Sequence, residues 1–204
     1  MEITKSHIAA VITNYVSTFV EANGAASILQ KQLAAAGVGL RPVIDHISFR
    51  TMQVHERALE FEALGYSYDD SIGVVERDDF WYKVYRKPGL PAVLIQQAHE
   101  DARGTRSPIP AWVQRFTDGL PHHIAIEVDR MEDAVEALTK AGITFVGKIV
   151  GDKASEFRQI YAQPEIIDGV PATVLELVER RWGFTGHLSL NSPETVMSRL
   201  ASTP

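Results

Sequence analysis

Asp45-His46-Ile47-Ser48-Phe49-Arg50 and, 77 residues further on, His122-His123-Ile124-Ala125-Ile126-Glu127 are two versions of one stretch. Each is followed by a helical run that ends on a glycine, Ala63-Leu64-Gly65-Tyr66 in the first copy and Lys140-Ala141-Gly142-Ile143 in the second. From His46 to Gly65 is 19 residues, and so is His123 to Gly142. A duplicated strand–helix unit places equivalent atoms at equivalent positions about a pseudo-twofold axis. Two corresponding histidines can then meet in space although they are distant in sequence, which is one way to build a metal site.

Working outward, Val43 to Arg50 reads as a strand and Val54 to Leu64 as a helix with Leu59, Phe61 and Leu64 as core contacts. Short strand pieces over 66–68 and 74–76 surround a turn at Gly73. Strands over 80–86 and 92–97 flank Pro88-Gly89. The second copy repeats this order, with strands over 122–128, 143–149, 157–162 and 172–179 and a helix over 131–141. Ahead of both lies an amphipathic helix carrying Ile8, Val11, Ile12, Tyr15, Val16, Phe19 and Val20, with Ser6 as a possible cap. A second helix over 25–36 follows it. The expected organisation is an N-terminal helical hairpin (1–40), a first βαβββ module (41–98) and a linker (99–120) with one helical turn at 112–116. A second βαβββ module (121–181) and a tail (182–204) complete it. In the tail Ser192 caps a short helix that has Pro193 at its first position.

The chain has 204 residues, 45% hydrophobic and 23% charged, enough for a core in an ordinary water-soluble domain. Its net charge of −6 supplies no basic footprint, so nucleic acid is not an expected partner. There is no cysteine, which removes disulfides, thiolate metal sites and thiol nucleophiles. The start Met1-Glu2-Ile3-Thr4-Lys5 lacks the pattern of a signal peptide, and no apolar run is long enough to span a membrane. A cytoplasmic protein, monomer or homodimer, is expected.

Side chains alternate across a strand. His46, Ser48 and Arg50 therefore share a face of the first copy, and His123, Ala125 and Glu127 the matching face of the second. Asp45 and His122 fall on the opposite side. The third candidate is Glu176, set among Val174, Leu175, Leu177 and Val178. A carboxylate in such a strand is costly to desolvate without a partner, and a divalent cation is the strongest one available. Two imidazoles and one carboxylate form a facial triad that leaves positions open for substrate and dioxygen. A single strand histidine is ordinarily structural; the duplication is what points to a metal. Glu179, beside Arg180 and Arg181, is expected at a solvated strand end.

Arg50 lies about 13 Å along the strand from His46. It suits a two-pronged bond to a substrate carboxylate and equally an internal ion pair with Glu127. Ser48, Arg158, Gln159 and Tyr161 are further candidates for substrate binding, with Arg50 and Gln159 the candidate catalytic residues. Only one of Arg158 and Gln159 can face the same side as Tyr161.

Two βαβββ units in one chain resemble the vicinal-oxygen-chelate superfamily, the glyoxalase/dioxygenase fold. The resemblance implies an α+β protein whose curled mixed sheets surround a metal cavity. Asp45 to Thr51 with Glu62-Ala63-Leu64-Gly65-Tyr66, Phe80-Trp81-Tyr82, Leu90 to Ile95 and Phe157-Arg158-Gln159 are similar to one branch, the 2-oxoadipate dioxygenase/decarboxylases, formerly a domain of unknown function. This implies Fe(II) held by His46, His123 and Glu176, with Arg50 on the substrate. It also implies a reaction in which a small 2-oxo acid and O₂ give a hydroxy acid and CO₂. The chain is shorter than those enzymes. The same ligands suit Zn, Ni, Mn or Co. Two rivals stand beside this reading: a redox-neutral lyase or isomerase of the glyoxalase type, with Glu127 as a fourth ligand, and a non-enzymatic small-molecule binder of the same fold.

Overall fold

The computed structural model describes residues 4–186. The helix expected after Ser192 lies outside the described residues. Five α-helices and eleven strands are formed within them, and none of the helices is long and apolar enough to cross a membrane. The chain divides into two compact units, Met1–Thr18 with His46–His122, and Phe19–Asp45 with His123–Pro204.

In the first unit β1 (Ile44–Arg50) runs parallel to β5 (Ala92–Ala98), and the crossover between them carries α3 (Val54–Ala63). β4 (Phe80–Arg86) pairs antiparallel with β5, and β2 (Ser67–Tyr68) and β3 (Val75–Glu76) both pair with β4. The strand order is β2-β4-β5-β1. α1 (Lys5–Glu21) has Ile8, Ile12 and Val16 buried at four-residue spacing. Its cap is Thr4, whose Oγ1 accepts from His7 N, rather than Ser6, which lies inside the helix. Tyr15 of α1 meets Phe49 edge-on at 4.9 Å, and Phe49 packs on Phe61 at 5.2 Å. The Arg57 guanidinium sits 4.7 Å over Phe49 and donates to Tyr15 Oη and Glu60, while Tyr15 also donates to Glu60. Burial, with Glu60 second, pushes the Tyr15 phenol up to about 12. Leu59 is not a core residue as expected: Val54, Ala58 and Phe61 form the buried stripe of α3, and Leu59 is 52% exposed one step round the helix.

The linker is more ordered than its polar sequence suggests. A 3₁₀ turn covers Ala102–Arg106 and α4 covers Ile109–Phe116, longer than the single turn expected. Pro108 and Pro110 do not break it, because proline is tolerated in the first turn, where N–H groups have no intrahelical acceptor.

The second unit repeats the pattern. β6 (Pro121–Glu127) runs parallel to β11 (Val174–Arg180), α5 (Met131–Lys140) follows β6, and β8 (Phe157–Ala162) pairs antiparallel with β11 and with β7 (Phe145–Val150). The order is β6-β11-β8-β7. β9 (Ile166–Ile167) and β10 (Val170–Pro171) form a separate hairpin. Its turn residues Asp168 and Gly169 have φ of 50° and 78°, the left-handed pair that a tight hairpin requires.

Asn23 joins α2 (Gly24–Ala35) to this unit. Its Oδ1 caps the helix by accepting from Ala26 N at 2.8 Å, and its Nδ2 donates to Thr173 Oγ1 at 3.1 Å. Asn23 is buried, so both ends of the amide act where water cannot replace them. Asn23→Ala should cost about 1–2 kcal/mol in urea unfolding, and Asn23→Asp, which keeps the cap but loses the donor to Thr173, should fall between the two.

Candidate metal centre

Residues paired across neighbouring strands point to the same side of a sheet. In the first unit the register sets His46 beside Ala92, Ser48 beside Leu94 and Arg50 beside Gln96, and continues from Gln96 to Tyr82. Ile47, Phe49, Val93 and Ile95 occupy the other face, where Phe49 joins the aromatic core. In the second unit His123 stands beside Val174, Ala125 beside Glu176 and Glu127 beside Val178. Glu176 is paired in turn with Tyr161, and Val178 with Gln159.

His46, His123 and Glu176 are 2%, 3% and 1% exposed. One ligand atom from each can be chosen so that all three lie within 4.8 Å of one another. His123 Nε2 and Glu176 Oε2 are 3.5 Å apart. That is long for an N–H···O bond but near the roughly 3.0–3.4 Å that separates two donors each about 2.1 Å from one ion. Two imidazoles and a carboxylate, all withdrawn from water, fit a divalent metal in their chemistry and in this spacing. Tyr161 meets the His123 ring edge-on at 6.2 Å, and Gln159 lies half-buried on the same strand face. His122, on the opposite face from His123, packs edge-on against Trp112 at 5.6 Å.

Ser48 is fully buried, and its Oγ has no hydrogen-bond partner among the described residues. Arg50 is partly exposed as a residue, but its Nε is sealed from solvent and likewise lacks a partner there. The guanidinium stacks 5.6 Å over Trp112. Desolvation pulls its pKa down to about 9, and the field of Asp79 opposes that. It is therefore a cation at neutral pH, with no ion pair among the described residues. Glu127, the register counterpart of Arg50, is exposed and stands outside the three-ligand group. Its carboxyl is raised by partial burial and then by Asp45, against the pull of Arg180.

Gln96 is a residue the sequence reading passed over. It is 3% exposed, directly beside Arg50, and its Oε1 has no partner. The signal was present: in Val93-Leu94-Ile95-Gln96-Gln97, alternation sets Gln96 on the side of Leu94 and Gln97 on the other.

Arg158 lies on the far side of β8 from Tyr161, in register with Glu179. It is 3% exposed and bonds Glu179 at 2.7 Å and Glu132 at 2.6 Å. All its strong bonds are internal, and it is Gln159 that shares the face of Tyr161. Glu179 is not at a solvated strand end as expected; it is buried between Arg158 and Arg181. The register of β11 carries it there, and two guanidiniums make its burial tolerable.

No family model and no curated protein matches the chain. Solved structures do. A provisionally assigned hydrolase from Shewanella frigidimarina superposes with a TM-score of 0.70 at 16% identity, over 85% of this chain and 92% of that one. A protein assigned to the glyoxalase superfamily from Ralstonia eutropha gives 0.66 at 15%, over 88% and 85%. A mutant 4-hydroxymandelate synthase from Streptomyces coelicolor gives 0.56 at 16%, over 79% of this chain and 57% of that one. At these identities the likeness shows the fold, which is α+β with mixed sheets and glyoxalase-like.

The Arg158 bond holds the Glu132 carboxyl down to about 2, against an ordinary 4.5. An acid depressed on folding stabilises above its unfolded value and loses that contribution as pH falls through the folded one. Wild type should therefore lose stability relative to Glu132→Gln between pH 4.5 and about 2, by a small amount because Glu132 is 46% exposed. Arg158→Met should cost about 3 kcal/mol in denaturant unfolding and leave metal affinity, read by calorimetry, unchanged.

Proposed function

We propose that this protein is a non-haem metal enzyme, working with Fe(II), that couples decarboxylation of a 2-oxo acid to the use of dioxygen. The buried set of two imidazoles and one carboxylate carries the reading, supported by a strand face that ends in a cation. His46, His123 and Glu176 would hold the ion. When bound, Fe(II) supplies a Lewis acid for the 2-oxo acid and a redox centre for dioxygen.

The residues around it bind, orient and exclude water. A metal takes imidazole in its neutral form and carboxylate in its ionised form, so of the three ligands only Glu176 would bring a charge. Arg50 supplies a local positive charge in a chain of net charge −6 and attracts an anionic substrate. Tyr161 and Gln159, on the face of Glu176, are placed to orient a substrate oxygen. Leu94, Val174 and Val178 are buried on the same faces and keep them dry. The overall change balances: a 2-oxo acid and O₂ give a 2-hydroxy acid one carbon shorter and one CO₂.

A redox-neutral lyase or isomerase would draw a fourth ligand from the protein. The position in the first unit that corresponds to Glu176 is Leu94, each one register step beyond its histidine's partner. Leucine cannot ligate, and Glu127 is exposed. Among the described residues the donor set therefore stays at three, which favours the oxygen-using reaction.

Anaerobically Fe(II)-loaded protein should consume O₂ and release an equal amount of CO₂ with one member of a 2-oxo acid panel led by 2-oxoadipate and 2-oxoglutarate. No uptake with any member, at confirmed iron occupancy, would overturn the reading in favour of the redox-neutral one. His46→Ala and Glu176→Ala should each lose stoichiometric metal by elemental analysis while keeping the wild-type circular dichroism spectrum. Full metal content in both would remove the ligand assignment.

A further inference from the structure

On the face of the second unit that carries His123 and Glu176, polar side chains give way to a small apolar block. The register continues from Glu176 and Tyr161 to Val178 and Gln159, then to Arg180 and Phe157, and it sets Ala125 beside Glu176. All of these share one side of the sheet. Ala125, Phe157 and Val178 pack together, each fully buried, and half-buried Phe184 closes over them, its ring 6.3 Å from that of Phe157. Val178 is two residues, about 7 Å, along β11 from Glu176. A side chain from beyond the end of β11 therefore stands against the ligand face itself.

The local chain geometry delivers that ring. Trp182 has φ of 53° and Gly183 of 72°, two successive left-handed residues that turn the chain back after β11. This region is strained for tryptophan, and Trp182 is 73% exposed, so the turn does not serve to bury the indole. What the turn brings in is Phe184. Its N–H donates to Arg181 O at 3.0 Å. Arg180 holds the returning segment, donating through Nη1 to the carbonyls of Phe184 and Gly186 while Nε and Nη2 reach both oxygens of Asp45. The same guanidinium lies 4.8 Å over the Phe157 ring. Gly186 folds so closely on Phe184 that an added Cβ would meet the ring at 2.5 Å.

From this placement we infer that Phe184 is a specificity-determining residue, an end stop that limits how far the chain of a metal-bound ligand extends along the second unit's face. At the matching steps the first unit has Ser48 and Gln96 in place of Ala125 and Val178, so the apolar block belongs to one unit. The favoured ligand carries only a short unbranched chain beyond its metal-binding group on this side. The inference rests on His46, His123 and Glu176 holding a metal, and on no particular reaction there.

The test uses Co(II)-loaded protein, whose visible absorption changes when a ligand enters the coordination shell of the metal. It is titrated with straight-chain hydroxamates from acetohydroxamate to octanohydroxamate, and the readout is the ratio of the octanohydroxamate to the acetohydroxamate dissociation constant. In Phe184→Ala this ratio should fall at least about tenfold, as two methylenes enter the space of the ring at about fourfold each. Phe184→Leu should lie between Phe184→Ala and wild type, and Phe184→Trp should raise the ratio above wild type. A response ordered by side-chain volume separates a stop from a merely structural ring, since a loosened turn would not order the variants in this way. An unchanged ratio in Phe184→Ala and Phe184→Leu at full cobalt content would overturn the stop. No spectral change with acetohydroxamate in wild type would remove the metal centre and the stop with it. The expected ratios in a protein whose Fe(II) form consumes no O₂ with any 2-oxo acid would leave the stop standing and remove the oxygenase reading alone.

Discussion

The parallel ladder between the first and last long strands of each module fixes the faces on which the candidate ligands and the polar groups beside them stand. β1 pairs with β5 and β6 with β11 in the same register, so His46 and His123 each stand beside a small or branched apolar residue, Ala92 and Val174. A slip of one residue in either ladder would turn the whole polar set to the opposite side. It would bring Ile47 or Ile124 to the ligand face and bury the imidazoles in the helix layer. Apolar residues on the far faces prevent this. Phe49, Val93 and Ile95 are each fully buried against the helical side, as are Ile124 and Leu177 in the second unit. The position of the candidate metal ligands is thus a by-product of packing on the other side of the sheet.

Much of this was legible before any coordinates. Strand alternation and the repeated 19-residue spacing were sufficient to select His46 over Asp45 and His123 over His122, and Phe80 to Arg86 and Phe157 to Ala162 were read to the residue. What escaped shares a physical cause. Leu59 is apolar but lies just off the buried stripe of its helix, and composition carries no phase. The helix over 109–116 begins with prolines, which look like breakers until their place in the first turn is known. Glu179 and Arg158 look like solvated charges because they pair with each other across the register of β8 and β11, and Arg158 also with Glu132 of α5, which nearby sequence does not show. Gln96 was missed because a lone amide in an apolar strand has no motif; its meaning comes from Arg50 on the adjacent strand.

The buried and half-buried arginines divide into two kinds. Arg57 is ringed by Tyr15, Phe49 and Phe61 and bonded to Glu60. Arg158 is shared by two carboxylates. Arg180 reaches both oxygens of Asp45 and the carbonyls of Phe184 and Gly186, holding the last described turn of chain against β11. Each of these charges is neutralised within the fold. Arg50 has an aromatic ring on one side and no ion pair among the described residues; desolvation lowers its pKa, opposed only by the field of Asp79. Proteins retain such groups where an outside molecule is to supply the missing interaction.

The two modules share a scaffold but no longer share its furnishing. At matching register positions the first unit carries Ser48, Leu94, Arg50 and Gln96 where the second carries Ala125, Glu176, Glu127 and Val178. On the proposed function, one unit supplies the recognition groups and the other the carboxylate ligand. Two identical copies would carry the same set of groups twice; divergence at four positions makes the two sets unequal. On the proposed function, a prochiral substrate would meet unlike groups at its two ends, so the handedness of the product would follow from the inequality of two similar stretches of sequence.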